Sequence, residues 1–185
     1  MAHVERINRE KIYEGAVVDF YKDTMKLPDG STENYDFIHH RMGAAAVVAV
    51  TTEGKFIMVR QYRPALDRYT LEIPAGKRDS LTEDTIVTAK RELSEETGCE
   101  SNDWKKLLSI RTTVAFCDEH IDVYLAENCV KTSGQNLDPD EDIEILEYDE
   151  DFLKEKIYAG EIEDAKTVAG IMAYLAQKGM TDALD

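Results

Sequence analysis

Apolar and polar residues alternate in short runs along the first third of the chain. Ala16-Val17-Val18-Asp19-Phe20 and Asn34-Tyr35-Asp36-Phe37-Ile38 lie on either side of Leu27-Pro28-Asp29-Gly30-Ser31. Proline presets φ and glycine accepts a left-handed backbone, so Pro-Asp-Gly between apolar runs is a turn with a mechanism. The pattern predicts an N-terminal β-hairpin within residues 11–41. A second hairpin follows. Ala45 to Thr51 is apolar throughout, Thr52-Glu53-Gly54 turns it, and Lys55 to Tyr62 returns. Tyr69-Thr70-Leu71-Glu72-Ile73 reads as a further strand, stopped by Pro74-Ala75-Gly76.

The spacing then changes. Ile86, Ala89, Leu93 and Thr97 recur at helical intervals, which predicts a helix over 81–97. Ser80 and Glu83 have capping-box spacing, and Gly98 stands where a C-terminal glycine belongs. Strands are expected at 107–112, 121–126 and 143–146, with a polar loop at 130–142. Two helices close the chain, at 150–158 and 164–177, separated by Gly160. Strands, one strong helix, more strands and closing helices make an α+β chain with a mixed sheet covered by helices.

Composition narrows the function. The 185 residues suit one domain with an appended segment, and 38 acidic against 22 basic residues give a formal charge of −16. Such a chain repels a polyphosphate backbone at long range, which argues against a duplex nucleic-acid binder, and no nucleic-acid partner is expected. A small anionic substrate remains open if local cations attract it. The longest apolar run, Ala44 to Val50, is too short to span a bilayer, and no membrane partner is expected. Met1 to Ile7 lacks an apolar signal region. Cys99, Cys117 and Cys129 are sparse and unpaired in sequence, as reduced thiols of a cytoplasmic protein would be.

Arg91-Glu92-Leu93-Ser94-Glu95-Glu96-Thr97-Gly98 carries the chemistry. On a helix Glu92, Glu95 and Glu96 share one face, and their like charges repel. A hard divalent cation offsets that repulsion, since Mg²⁺ takes oxygen ligands and exchanges its waters for phosphate oxygens. Arg91 can pair with Glu95 and orient it. Glu83, more than two turns earlier on such a helix, is given a capping role first. From charge pattern alone a solvated acidic face is the simpler reading. The Pro74-Ala75-Gly76 turn ahead of the helix weighs against it, because its glycine admits close backbone approach to a ligand.

Gly76, Glu83, Arg91-Glu92-Leu93, Glu95-Glu96 and Gly98 together resemble the Nudix box, the signature of Nudix hydrolases. One departure is plain. The family usually places five residues between the glycine and the first glutamate, and six lie between Gly76 and Glu83. Val59-Arg60-Gln61-Tyr62-Arg63-Pro64, Leu71-Glu72-Ile73-Pro74-Ala75-Gly76 and Asp164-Ala165-Lys166-Thr167 resemble the ADP-ribose pyrophosphatase branch. That branch usually carries Pro-Gly-Phe-x-Asp-Glu after the box; here the run is Val114-Ala115-Phe116-Cys117-Asp118-Glu119.

The resemblance implies a Nudix α/β/α sandwich over 42–185 and an N-terminal strand segment over 1–41 that helps form a homodimer. It implies Mg²⁺, with Mn²⁺ as the alternative, held by Glu92, Glu95, Glu96 and the Ala75 carbonyl. Arg91 and Glu95 join the catalytic group, and Glu141 aligns with the base of the branch, with Asp140 and Asp138 as its neighbours. Arg63 is the first choice for a phosphate clamp, because its planar fork suits phosphate oxygens. Arg60, Arg41 and Glu72 complete the substrate set. The implied reaction is hydrolysis of ADP-ribose to AMP and ribose 5-phosphate. Other nucleoside diphosphate sugars are the alternative substrates, and a nucleotide-sensing binding protein is the alternative class. Asp138, Asp140 and Asp142 mimic the start of an EF-hand, but Ile143 stands where that loop needs glycine. His39 and His40 are adjacent on a predicted strand and point to opposite faces, so they form no metal pair. Trp104 is assigned to packing ahead of base stacking.

Overall fold

The computed structural model describes residues 3–139 and 141–182. The chain divides into two compact units: residues up to 43 together with 111–120, and residues 44–110 together with 121 onward. The sequence placed the boundary at 41/42 and left 111–120 with the second unit.

The first unit is an antiparallel sheet of β1 (Glu5–Glu14), β2 (Val18–Lys26) and β3 (Thr32–His40), in that order. The predicted turn joins β2 to β3. Gly30 sits at φ 88° and donates its N–H to the Leu27 carbonyl at 3.0 Å. The Asp29 carboxylate accepts the Ser31 N–H at 2.9 Å. Strand β1 is a correction, since the predicted hairpin had no third strand. Its sequence, ERINREKIYE, has no clean apolar alternation and so no hydrophobic signal. Ion pairs hold it instead. Arg9 donates Nε and Nη2 to Asp23 at 2.7 and 2.6 Å, and its guanidinium stands 3.9 Å from the Phe37 ring centroid. Residues 111–120 join through an Ile38–Cys117 bridge. There His39 Nδ1 lies 2.7 Å from Asp118 and His40 Nε2 lies 3.6 Å from Glu119.

The second unit is a mixed sheet with helices on both faces. Its strands are β4 (Ala44–Thr51), β5 (Phe56–Arg63), β6 (Arg68–Glu72), β7 (Ala75–Lys77), β8 (Cys99–Glu100), β9 (Asp103–Arg111), β10 (His120–Lys131) and β11 (Ile143–Tyr148). The order is β11-β5-β4-β10-β8, with β6 on β5, β7 on β4 and β9 on β10. The β4–β10 pair is parallel; β4–β5, β4–β7, β5–β6, β5–β11 and β8–β10 are antiparallel. The helices are α1 (Thr85–Thr97), α2 (Glu150–Tyr158) and α3 (Ala165–Asp182).

Strand period explains the layering. Along β4, Ala46, Val48 and Val50 face a core shared with Leu153 of α2 and Ile171 of α3. Ala45, Val47 and Ala49 face the other core, with Ala89 and Leu93 of α1. A strand buried on both faces reads as a continuous apolar run, which is why this one was legible. Trp104 packs against the α1 core and donates Nε1–H to the Ser101 carbonyl at 2.8 Å. Helix α1 begins four residues later than predicted. Asp84, not Ser80, is the N-cap and accepts the Ile86 N–H at 3.2 Å. Glu83 lies outside the helix and accepts the Asp79 N–H at 2.7 Å, bracing the loop before it. The extra residue between Gly76 and Glu83 falls in that loop. Strand β7 was missed, and β10 and α3 are longer than predicted.

Helix α3 approaches the sheet at Gly170. A Cβ there would stand 3.0 Å from Val48 Cγ2 and Val123 Cγ1. Both neighbours are fully buried and cannot retreat. Gly170→Val is therefore expected to lower stability by about 1–3 kcal/mol, read as a reduced urea midpoint at unchanged m.

Candidate active site

Strand β7 and helix α1 build one wall of a cleft of about 880 Å³. The antiparallel β4–β7 pairing, Ala45 opposite Gly76, lays β7 along the sheet. Ala75 N–H donates to Glu96 Oε2 at 3.0 Å. A Cβ on Gly76 would overlap the Glu92 carboxyl carbon and both its oxygens. Glycine is thus required because the carboxylate occupies the space of a side chain.

Arg91 ties the same parts together. Its Nη1 donates to Glu92 Oε1 at 2.7 Å and to Glu95 Oε2 at 3.0 Å, and its Nη2 donates to the Lys77 carbonyl at 3.0 Å. The predicted Arg91–Glu95 pair is present, and Arg91 holds Glu92 as well. Glu92 and Glu96 are buried at 7 % and 2 % exposure. Burial pushes the Glu92 carboxyl up to about 7; the Arg91 guanidinium opposes that rise, and the charges of Glu95 and Glu141 add to it. Burial likewise pushes Glu96 well above the usual carboxylate range, helped by the Glu92 charge.

These residues fit a hard divalent cation. The donors are all oxygens, and the three carboxylates have the Arg91 guanidinium and the Ala75 N–H as their named partners. Glu92, Glu95 and Glu96 line the cleft with Ala75. Among the described residues no three acidic, histidine or cysteine groups are already gathered as a ligand set. Arg91 bridges Glu92 and Glu95 instead.

The opposite wall comes from β5 and β6. Arg63 lines the cleft and gives Nε and Nη2 to Glu72 at 2.7 and 2.5 Å. Glu72 is 2 % exposed and also accepts from Thr70 Oγ1 at 2.6 Å and from Lys166 Nζ. Burial alone would raise its pKa; Arg63 and Lys166 outweigh that and hold it down at about 2. Glu72 therefore orients Arg63, and its oxygens are committed to protein donors. Lys166 carries no signal of this role in the sequence beyond its place in the Asp164–Thr167 run. Arg60 pairs with Glu144 at 3.1 Å and stands over the ring of Tyr69, which lines the cleft, at 4.2 Å. Arg41 belongs to the first unit and pairs with Asp19 and Glu14.

The loop after β10 closes the cleft with Asn136, Asp138, Glu141 and Asp142. Glu141 accepts the Asp138 N–H at 3.0 Å. Asp140, named beside it in the sequence, lies outside the described residues. Asn136 was not singled out in the sequence, where it is one polar residue among many.

The NUDIX domain profile matches residues 40–168, and the chain belongs to the NUDIX family. An ADP-ribose pyrophosphatase of Bacillus subtilis is 42% identical over 174 residues, 93% of this chain and 92% of the relative. The methanol dehydrogenase activator of Bacillus methanolicus is 40% identical over 177 residues, 94% of each chain. A solved ADP compounds hydrolase superposes with TM-score 0.84 over 96% of this chain and 95% of that one, at 18% identity. The fold agrees with the α/β/α sandwich and mixed sheet implied by the box. The family is one of pyrophosphohydrolases that use divalent metal ions.

A carboxyl that titrates near 7 must lose its proton to take a cation. Binding of a divalent cation at a pH of about 6.5 is expected to release protons, and its affinity to rise with pH through about 7. Titration calorimetry in two buffers of different ionisation enthalpy measures the release; a heat independent of buffer contradicts it.

Proposed function

We propose that this protein hydrolyses the pyrophosphate bond of a nucleoside diphosphate derivative, with ADP-ribose, split to AMP and ribose 5-phosphate, as the preferred substrate. The observation that carries the reading is one cleft that holds the Glu92/Glu95/Glu96 face, the Arg63 guanidinium and the Glu141 loop together. The 42% identical relative supports the choice of ADP-ribose. A GDP-mannose pyrophosphatase of Cronobacter sakazakii, 30% identical over 154 residues, makes GDP-mannose the comparison substrate.

Glu92, Glu95 and Glu96, with the Ala75 carbonyl, would hold Mg²⁺ or Mn²⁺. A bound divalent cation supplies charge neutralisation at the diphosphate and acidifies water near neutral pH. Arg63 binds a phosphate oxygen through Nη1, the guanidinium nitrogen that Glu72 leaves free. Arg91 keeps Glu92 and Glu95 turned toward the cleft. Glu141 accepts a proton from the attacking water, whose oxygen bonds to phosphorus as the bridging P–O bond breaks. Two phosphate monoesters leave. Glu95 is the second candidate for the base.

Purified protein with Mg²⁺ is expected to turn over ADP-ribose faster than GDP-mannose. Glu92→Gln should lower kcat roughly a hundredfold or more while the fold survives. Activity within a few-fold of wild type would leave the helix a mere acidic surface. Binding of ADP-ribose without turnover would favour a nucleotide sensor.

The homodimer belongs to the same proposal. No described residue before Ala45 is a buried hydrophobic, yet Ile7, Ile12 and Tyr13 of β1 are 52%, 49% and 67% exposed. A three-stranded sheet with no covered apolar face needs a second layer. We assign that layer to a second copy, which light scattering should report as twice 21.0 kDa. A monomer with full activity at nanomolar protein removes the assignment. We place the protein in the cytoplasm, where thiols such as those of Cys99, Cys117 and Cys129 stay reduced.

A further inference from the structure

The last turn of a helix leaves carbonyl groups without intrahelical donors. In α1 two of those carbonyls, of Glu95 and Glu96, belong to residues of the acidic face, and their donors, like those of the Gly98 carbonyl, arrive from far along the chain. Thr132 and Ser133 N–H groups donate to the Gly98 carbonyl at 2.9 and 3.1 Å. The Asn136 N–H donates to the Glu95 carbonyl at 2.9 Å. Gln135 Nε2 donates twice, to the Glu96 carbonyl at 2.7 Å and to the Ile143 carbonyl at 3.0 Å. Two carbonyl oxygens can be served only by the NH₂ side of that amide, which fixes its orientation.

Gly98 makes the docking possible. It caps α1 at φ 69°, and a Cβ on it would strike the Ser133 carbonyl. The loop therefore has two anchored ends. One is Gln135–Asn136, fastened to Glu96 and Glu95. The other is Ile143, the first residue of β11. Only residues 137–142 lie between them, and Glu141 is among these. Among the described residues Gln135 is the side chain that bonds both ends.

We infer that Gln135 is a positioning residue: its amide sets the distance between the last turn of α1 and the start of β11, and so places the Glu141 carboxylate in the cleft. The inference rests on Glu141 being the base. A stabilising C-cap alone would also use these bonds, but its loss would act on stability and not on one step of the reaction.

The test is the hydrolysis of ADP-ribose with Mg²⁺ by the full chain. Gln135→Met keeps length and removes both donors; it should lower kcat by about tenfold with KM and Mg²⁺ dependence unchanged. Gln135→Lys restores a donor that can reach two carbonyls and should recover kcat to within about threefold. Glu141→Gln should lose about 10²-fold or more, and Gln135→Met should cost nothing further in that background. Three results overturn the inference: wild-type kcat in Gln135→Met while Glu141→Gln is impaired, a lower melting temperature with kcat intact, or full additivity of the two losses. Near wild-type turnover in Glu141→Gln overturns the base assignment, and the inference with it.

Discussion

Two carboxylates of one helix, Glu92 and Glu96, are buried, Glu92 with the Arg91 guanidinium beside it. Moving Glu92 from the usual carboxylate range to about 7 costs the charged form on the order of a few kcal/mol. A helix face of this kind is a poor choice for stability. It persists because Leu93 and Ala89, on the adjoining face, are fully buried against β4 and hold the helix where Glu92 and Glu96 stay largely out of solvent.

That placement dictates the surroundings. The Glu92 carboxyl fills the space of a side chain at 76, so β7 carries glycine there. Glu96 takes the Ala75 N–H, which ties β7 to the helix. Arg91 reaches back to the Lys77 carbonyl from the other side. Strand β7 is three residues long, too short to hold itself by its ladder alone, and it is defined by the acids it serves.

The sequence made the central parts legible for identifiable reasons. Apolar runs at Ala45–Val50 and a 3.6-residue period from Ile86 to Thr97 report burial directly, so β4 and α1 could be read. The acids declared themselves by spacing. The parts that stayed hidden are those held by polar contacts between distant residues. Strand β1 lacks apolar alternation and is fixed by Arg9 on Asp23, fourteen residues away. The helix start moved to Asp84 because Glu83 found the Asp79 N–H instead of a helical one. Arg63 looked like a free clamp, and only the fold brings it against Glu72 and, through Glu72, Lys166. Residues 111–120 follow a strand of the second unit in sequence but bond to β3.

The charge of −16 gains meaning from these contacts. Glu92, Glu95, Glu96, Asp138, Glu141 and Asp142 line the same cleft as Lys77, Arg63 and Arg91. Arg91 is spent on Glu92 and Glu95, and two of the three nitrogens of Arg63 are spent on Glu72. Lys166 restores part of that loss, since its ammonium shares the Glu72 carboxylate and leaves the Arg63–Glu72–Lys166 group with a net positive charge. Asp164 lies 3.0 Å from the same ammonium and limits the effect. Counted with Asp164 the four charges sum to zero, so a diphosphate entering the cleft meets one near-neutral wall, on which Glu72 leaves Arg63 Nη1 free, and one repulsive wall. A divalent cation held at the acidic wall would lower that repulsion, so on the proposed reading a metal would act first on admission of the anion, before any bond is broken.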